Sequence, residues 1–284
     1  MERFVQSAVP EPLSTHLNPF SMIRNLWFNR NLAFQLARRD ILSRYRTAHL
    51  GLLWSLITPL ILLLIYTFVF SIVFRARWGD DIRETRGQFA VTMFCGMLVF
   101  GLFSEVVNRA PLMIVSNPNY VKRVIFPLEV FVVSGLLSAL FNLLIGLGAW
   151  LVGMLAVVGM PPRTIAWLPL VLLPVCLTTV GVSWVLASVG VFVRDVNQIV
   201  FLATQALFFM TPIFYSAERV PYPYRRILEI NPLSHCVEDA RRVMMYGLGP
   251  QWGWWAAALI GSAVLAVLGY AFFMKSKRAF ADVI

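Results

Sequence analysis

The sequence predicts an all-α membrane protein with six transmembrane helices. Of its 284 residues, 59% are hydrophobic and 13% are charged, whereas soluble domains carry roughly a quarter charged residues. Six apolar runs are also about 18 residues or longer, which is enough to cross a hydrocarbon core of roughly 30 Å. Together the runs form a transmembrane domain over residues 51–274, with spans at 51–74, 88–106, 128–153, 166–192, 196–216 and 252–274.

The basic residues predict which side of the membrane each connection faces. Seven arginines and no suitably placed apolar core occur in the first fifty residues, so we expect no cleavable signal peptide. With a cytoplasmic N-terminus, 14 of the 24 Lys and Arg residues fall in cytoplasmic segments. We therefore expect both termini, including a C-terminal tail at 275–284, to be cytoplasmic. The net charge of +10 is scattered through these connections, so it predicts orientation rather than nucleic-acid binding.

The residues ahead of the first span divide into two parts. Residues 1–19 are polar and contain three prolines, which is typical of a flexible tail. Residues 20–50 carry apolar side chains at three-, four- or seven-residue intervals with arginines between them. This pattern predicts an amphipathic interface helix that lies among the lipid headgroups, or alternatively one packed on other protein. The interface residues we select are Trp27, Phe34, Arg38 and Arg39.

Prolines mark the expected beginnings of two later helices. Pro127 suits the first turn of the third span, where its missing N–H costs least. Asn231 and Pro232 predict the N-cap and first residue of an amphipathic helix in the outer segment 217–251. We expect its apolar face to lie on the outer leaflet and its charged side chains to share the opposite face; these are Glu238, Asp239, Arg241 and Arg242.

The sequence contains none of the common motifs for binding nucleotide or catalytic metal. GxxxxGK[ST], HExxH, GxSxG and GxGxxG do not occur, and the three cysteines and three histidines lack ligand spacing. We therefore predict no catalytic residue, no metal site and no cofactor on this chain. The span interiors hold essentially no carboxylate, because Glu105 and Glu129 lie near inner helix ends, and this disfavours proton coupling. Energy for transport would have to come from another chain.

Several strings of the sequence, taken together, resemble the membrane subunit of type-2 ABC exporters for polysaccharides. The strings are RRDILSRYRTAHLGLLWSLITPLILLLIYTFVFSIVF at 38–74, NPNYVKRVIFPLEVF at 117–131, FVRDVNQIV at 192–200, and MTPIFYSAERVP with INPLSHCVEDARRVMMYG beyond it. The resemblance runs over roughly residues 20–275. It implies a permease of the bacterial inner membrane that acts as a homodimer with two ATPase subunits, which bind ATP and Mg²⁺. The cargo it implies is lipid-linked polysaccharide, with O-antigen first and capsule or teichoic acid as alternatives.

The resemblance also implies roles for particular residues. The connection between spans two and three would be a coupling helix docked on the ATPase, comprising Asn117, Pro118, Asn119, Tyr120, Val121, Lys122 and Arg123. Residues 219–246 would form short re-entrant helices on the outer side. Aromatic side chains would line the conduit, and the candidates are Tyr66, Phe70, Phe214 and Tyr215. Two other classes stay open, namely a permease for small molecules or drugs and a non-transporting scaffold of a glycan-synthesis complex.

Overall fold

The computed structural model describes residues 17–46, 53–74, 85–122 and 126–283, and the described residues contain helices and no strand. Nearly all of the predicted tail at 1–19 lies outside these ranges. The helices are α1 (Pro19–Phe28), α2 (Arg30–Arg46), α3 (Leu53–Tyr66), α4 (Arg86–Arg109), α5 (Pro118–Val121), α6 (Val130–Val157), α7 (Leu168–Phe192), α8 (Val196–Met210), α9 (Arg225–Ile230), α10 (Pro232–Met244), α11 (Trp252–Ser276) and α12 (Phe280–Val283). Helix α3 continues into π-helical turns at Thr67–Val73.

Five segments of the described chain are long and apolar enough to cross a membrane. They are Leu56–Val73, Arg86–Leu112, Val130–Val157, Arg163–Phe192 and Trp252–Val283, and they match the first four predicted spans and the last. The remaining predicted span, 196–216, is represented by α8, which has 15 residues. At 1.5 Å per residue, α8 is about 22 Å long. It ends at Met210 because Thr211 precedes Pro212 and takes an extended conformation with ψ 136°.

Helix α7 is held at the centre of the bundle by close backbone contacts. A Cβ atom added to Gly269 of α11 would lie 2.3 Å from the carbonyl oxygen of Gly181 of α7. A Cβ atom on Gly190 would lie 2.2 Å from the carbonyl oxygen of Pro111, in the turn that follows α4. Glycine therefore lets α7 touch both neighbours directly, as small residues do between spanning helices.

The N-terminal region forms two helices rather than the single helix predicted for 20–50. Helix α1 ends at Asn29, whose backbone N–H donates to the carbonyl of Asn25 at 3.1 Å. Helix α2 then buries small side chains against α6, where Ser138 Oγ donates to the carbonyl of Ala37 at 3.5 Å. We call the end of the bundle that carries α1, α2 and α5 the α2 end.

Helices α9 and α10 lie at the opposite end, here called the α10 end. The predicted beginning of α10 is confirmed, because the Asn231 side chain accepts from the backbone N–H of Leu233 at 3.0 Å and Pro232 is the first residue. Its predicted apolar face is buried against protein, since Val237 and Met244 belong to the same core cluster as α4. Cys95 of α4 lies 3.3 Å from Met244, measured between the sulfur atoms.

The predicted charged face of α10 is wrong at two positions. Asp239 is 3% exposed and Arg241 is fully buried, whereas Glu238 remains exposed at its side chain. Asp239 Oδ1 accepts from the backbone N–H of Gln251 at 2.8 Å, ahead of α11. Burial raises the pKa of Asp239, and that hydrogen bond opposes the shift. Some of the charged side chains of α10 are therefore buried, because α10 packs against both α4 and α7.

Two further boundaries differ from the expected ones. Helix α6 begins at Val130, so Pro127 lies in the turn before it rather than in its first turn. The segment predicted as a C-terminal tail is helical as far as Val283, and Phe280 is buried against Phe273 at 5.5 Å between ring centroids.

Candidate functional site

A cavity of about 540 Å³ lies between α3, α4, α6 and α8. One wall is formed by Trp54, Leu62 and Tyr66 of α3, and α4 forms the back. Trp54 is 45% exposed and Gln205 of α8 is also exposed, although both line the cavity. The cavity therefore opens to the surface between α3 and α8.

Polar side chains gather at the end of this cavity nearest the α2 end. Glu105 of α4 accepts two hydrogen bonds from Asn142 Nδ2 of α6, at 2.9 and 3.0 Å. Asn108, one turn along α4, accepts from Thr204 Oγ1 of α8 at 2.7 Å. Three helices thus meet through polar contacts at this end of the cavity. Buried polar groups inside a membrane protein commonly mark a functional site.

The carboxylate of Glu105 is also tied to α2. Arg44 Nη1 donates to Glu105, and Arg44 Nη2 lies 2.8 Å from Asp40 one turn back on the same helix. Arg109 of α4 donates to the same Asp40 through Nη2 and Nη1, at 2.7 and 3.0 Å. This charge network contains two cations and two anions, so its formal charge is balanced. It fastens α2 to the cavity end.

The predicted conduit aromatics are brought together near the other end of the cavity. Phe70 stacks on Phe214 with ring centroids 4.4 Å apart, and Tyr66 meets Phe214 edge-on at 5.1 Å. Tyr215 lies beside them and donates from its hydroxyl to the carbonyl of Phe209 at 3.0 Å. Of these side chains, Tyr66 lines the cavity, whereas Phe214 is 1% exposed and forms the packed back of the cluster. Their role as a conduit lining stays a prediction.

Arg241 holds the backbone that presents Phe214. Its guanidinium donates to the carbonyls of Pro212 at 2.6 Å and Ile213 at 3.0 Å, and more weakly to that of Thr92 at 3.4 Å. A cation buried in this way is stabilised by carbonyl oxygens at each nitrogen. Sequence reasoning missed this residue, but a signal was present. Val237 and Met244 stand four residues before and three after Arg241, so it shares their apolar face.

The predicted coupling segment is a single helical turn fixed to α2. Within α5, Val121 is buried and Tyr120 packs against Phe126 with ring centroids 4.6 Å apart. The Tyr120 hydroxyl accepts from Arg39 Nη1 of α2 at 2.7 Å. Asn119 and Lys122 are exposed. Asn117 and Pro118 open the turn, with Asn117 Nδ2 donating to the carbonyl of Met113 at 2.9 Å, and Arg123 lies outside the described residues.

The predicted interface residues divide between two surfaces. Trp27 and Phe34 point away from the protein with 67% and 68% of their surfaces exposed. Arg30 lies over the Trp27 ring at 4.6 Å from its centroid. Arg38 is exposed, whereas Arg39 reaches α5 as described above. Two of the four therefore form an apolar outer surface suited to lipid, and one binds α5.

A second buried network joins the helices of the α2 end to one another. Glu129, just ahead of α6, is paired with Lys277 Nζ at 2.9 Å and accepts from Asn25 Nδ2 of α1 at 2.7 Å. Its backbone carbonyl accepts from the indole N–H of Trp184 of α7 at 3.1 Å. Side chains from α1, from α7 and from the residues after α11 thus converge on Glu129, two of them at its carboxylate and one at its backbone carbonyl. Among the described residues, no group of three His, Cys, Asp or Glu side chains is placed to hold a metal ion.

Comparison with known proteins identifies the family. The chain matches the family described as ABC-2 type transporter over residues 31–245. It is 25% identical to the O-antigen export system permease protein RfbA of Klebsiella pneumoniae over 263 residues, which cover 92% of this chain and 97% of that protein. It is 28% identical to the protein of the same name in Myxococcus xanthus, covering 81% and 79% of the two chains. It is 26% identical to the polysialic acid transport protein KpsM of Escherichia coli, covering 74% and 79%. The resemblance seen in the sequence is confirmed, and this chain belongs to the ABC-2 type transporter family.

Proposed function

We propose that this chain is the permease subunit of an ATP-driven exporter that moves lipid-linked polysaccharide, specifically O-antigen, across the inner membrane. The observation that carries the proposal is the likeness to O-antigen export permeases along nearly the whole of both chains. The cavity supports the proposal, because its lining combines aromatic rings with polar side chains. Helix surfaces that face only lipid would be uniformly apolar. ATP and Mg²⁺ bind to the partner subunit and not to this chain.

The ATPase partner docks at the α2 end, which faces the cytoplasm together with both termini. Helix α5 suits such a contact, because it presents Asn119 and Lys122 outward while Val121 and Tyr120 anchor it. Trp27 and Phe34 lie in the inner headgroup layer, beside the docked subunit. In this orientation α8 and residues 211–216 make the fifth of six crossings.

The α10 end faces outward, and α10 is re-entrant. Its sulfur contact with Cys95 lies nine residues inside α4, about 14 Å below the first residue of that helix. An outer helix at that depth lies within the membrane slab while it remains covered by protein, which is the condition under which re-entrant segments are tolerated. The pair α9 and α10 would then frame the exit of the conduit.

A second copy of the chain completes the conduit. Helices α3 and α8 flank the mouth of the cavity and carry exposed side chains over much of their length. In a homodimer, these helices from two copies would enclose the path, with Tyr66, Phe70, Phe214 and Tyr215 at its outer part. Each permease would engage one ATPase subunit, giving a complex of two and two.

The test is copurification of the chain with the ATPase from its own cell, followed by ATP hydrolysis in lipid discs with and without lipid-linked glycan. We expect a stable complex whose hydrolysis responds to the glycan. The variant Lys122→Glu should reduce the copurified ATPase by about tenfold, because it reverses a charge at the docking turn. Lys275→Glu is the matched control, since Lys275 is also exposed at the α2 end but lies outside α5. If the permease dimer is intact and no ATPase binds, the proposal fails.

A capsule exporter is the second candidate, and the likeness to polysialic acid transport proteins favours it. The two candidates differ in cargo rather than in mechanism. Stimulation of hydrolysis by lipid-linked capsular glycan, and not by O-antigen, would replace the first proposal with the second.

A further inference from the structure

Several polar side chains line the end of the cavity that lies nearest α2. Ser104, Glu105 and Asn108 of α4 face Gln205 of α8, with the indole of Trp54 of α3 on the same lining. We call these five residues the polar pocket. Glu105 lies 19 residues into α4, about 28 Å from its first residue, so the pocket sits at the inner membrane boundary in the proposed orientation.

Hydrogen-bonding capacity remains in the polar pocket after its internal contacts are made. The Glu105 carboxylate accepts from Asn142 and Arg44, yet a carboxylate offers about four acceptor positions and its side chain is 24% exposed. Asn108 uses its oxygen to accept from Thr204, which leaves its NH₂ group as a donor. Gln205 makes no hydrogen bond to any residue of the described ranges and is exposed to the cavity mouth. Donors and acceptors are therefore both available.

The charge balance excludes one class of ligand and favours another. Arg44 and Arg109 are both engaged by Asp40 or Glu105, so the network offers no surplus positive charge to a phosphate. An uncharged group rich in hydroxyls needs mixed donors and acceptors instead. An indole such as that of Trp54 covers the C–H face of a sugar ring well, because it is both flat and amphipathic.

Gly101 supplies room beside these groups. It lines the cavity one turn before Glu105, and a Cβ atom added to it would meet nothing within 4 Å. Gly181 and Gly190 differ, because a Cβ atom on either would strike a neighbouring backbone. Glycine in a helix interior destabilises it relative to alanine, and at Gly101 no close helix contact offsets this. Its effect is to leave space for a ligand next to the carboxylate.

We propose that the polar pocket is the sugar-binding subsite where an uncharged ring of the glycan first engages the permease. The ring's hydroxyls bond to Glu105, Asn108 and Gln205, and Trp54 covers its apolar face. The pocket opens between α3 and α8, the helices that would flank the conduit. The inference rests on the proposed function, which it deepens by naming an uncharged sugar as the recognised group.

The test measures binding of lipid-free glycan, released by hydrolysis from the lipid-linked glycan of the same cell, to the permease dimer in lipid discs. Gly101→Leu fills the space, and Gln205→Leu removes one exposed amide without disturbing the core. We expect each to weaken binding by about tenfold, the loss typical of one or two hydrogen bonds and a blocked contact. Gly148→Leu is the matched control, because Gly148 of α6 is exposed, outside the cavity lining and free of near neighbours. Its affinity should be unchanged.

Three outcomes would overturn the inference. The first is that wild-type protein binds no lipid-free glycan, and the second is that Gly101→Leu and Gln205→Leu bind it as tightly as the control does. The third is that Gly101→Leu loses a copurifying lipid, measured by mass spectrometry of extracts, while glycan affinity stays the same, which would make the cavity a lipid site. Binding is measured without the ATPase, so failure here is separable from failure of the exporter proposal, which glycan-stimulated hydrolysis of the wild-type complex decides independently.

Discussion

Two pairs of helices in this bundle are built in opposite ways. In the most apolar window of α4, 72% of the residues are buried, and the corresponding share for the segment containing α7 is 61%. None of Leu56–Val73 in the α3 segment is buried, and α8 buries only Val200 and Thr204. The first pair is a fixed scaffold, whereas the second pair is attached along one side and encloses the cavity with it. Stability and access to the cavity therefore depend on different helices.

The scaffold should tolerate the least change, and Gly269→Leu tests this most severely. The new side chain would begin 2.3 Å from the backbone oxygen of Gly181, which cannot move without separating α11 from α7. We expect a loss of about 3 kcal/mol or more in the free energy of unfolding, or failure to fold. Thermal unfolding of protein in lipid discs measures it. Gly261→Leu on the same helix, where a Cβ meets nothing within 4 Å, is the control. Equal stability of the two variants would break the distinction between scaffold and periphery.

The second largest loss of stability should come from breaking the contact between α10 and the segment after α8. Arg241→Met keeps an unbranched side chain but removes the guanidinium, and so leaves the carbonyls of Pro212 and Ile213 without their donor. We expect a loss of about 2 kcal/mol in unfolding free energy, because buried acceptors lose a charged donor. Arg242→Met is the matched control. The Arg242 side chain is half-buried, and within the described residues its guanidinium donates one hydrogen bond, to the carbonyl of Gly249. A loss no larger than that of the control would mean that α10 does not fix the segment after α8.

The peripheral pair should govern transport more than stability. Replacing Tyr66 and Phe70 together by Ala removes two rings of the aromatic cluster from α3. We expect export to fall by about tenfold, equivalent to about 1.4 kcal/mol, while the ATPase remains assembled. Phe68→Ala is the control, because Phe68 is on the exposed face of the same segment. Export of glycan into the lumen of inverted vesicles provides the measurement. An unchanged rate would remove these residues from the conduit.

The sequence could predict the long scaffold helices because they need only an uninterrupted apolar run. It also placed Asn231 and Pro232 correctly, because a cap and its proline act within one turn. The end of α8 was predictable too, since Pro212 restricts Thr211, but the apolar run 196–216 masked that signal. Tertiary contacts settled the rest. The break at Asn29 accompanies an Asn25 that reaches Glu129, 104 residues away.

The aromatic part of the candidate site could be predicted from the sequence, whereas its polar part could not. Tyr66, Phe70 and Phe214 could be grouped from their positions in the outer halves of two spans, and they do meet. The polar pocket could not be assembled in this way, because Trp54, Glu105 and Gln205 come from three helices whose rotation depends on packing. Buried Arg241 was missed because charged residues precede and follow it in the sequence, although it shares the apolar face of Val237 and Met244.

Helix α2 contacts α5 through one arginine and α4 through another. Arg39 grips Tyr120 of α5, and five residues further along the same rigid helix Arg44 grips Glu105 at the floor of the cavity. The two contacts are separated by about 7.5 Å of helix axis, so neither can shift without carrying the other. If the ATPase docks on α5 as proposed, a displacement of α5 would also displace Arg44 and its contact with the proposed sugar subsite. Glycan binding and the nucleotide state of the partner would then be coupled through one short helix and its contact with a single side chain of α4.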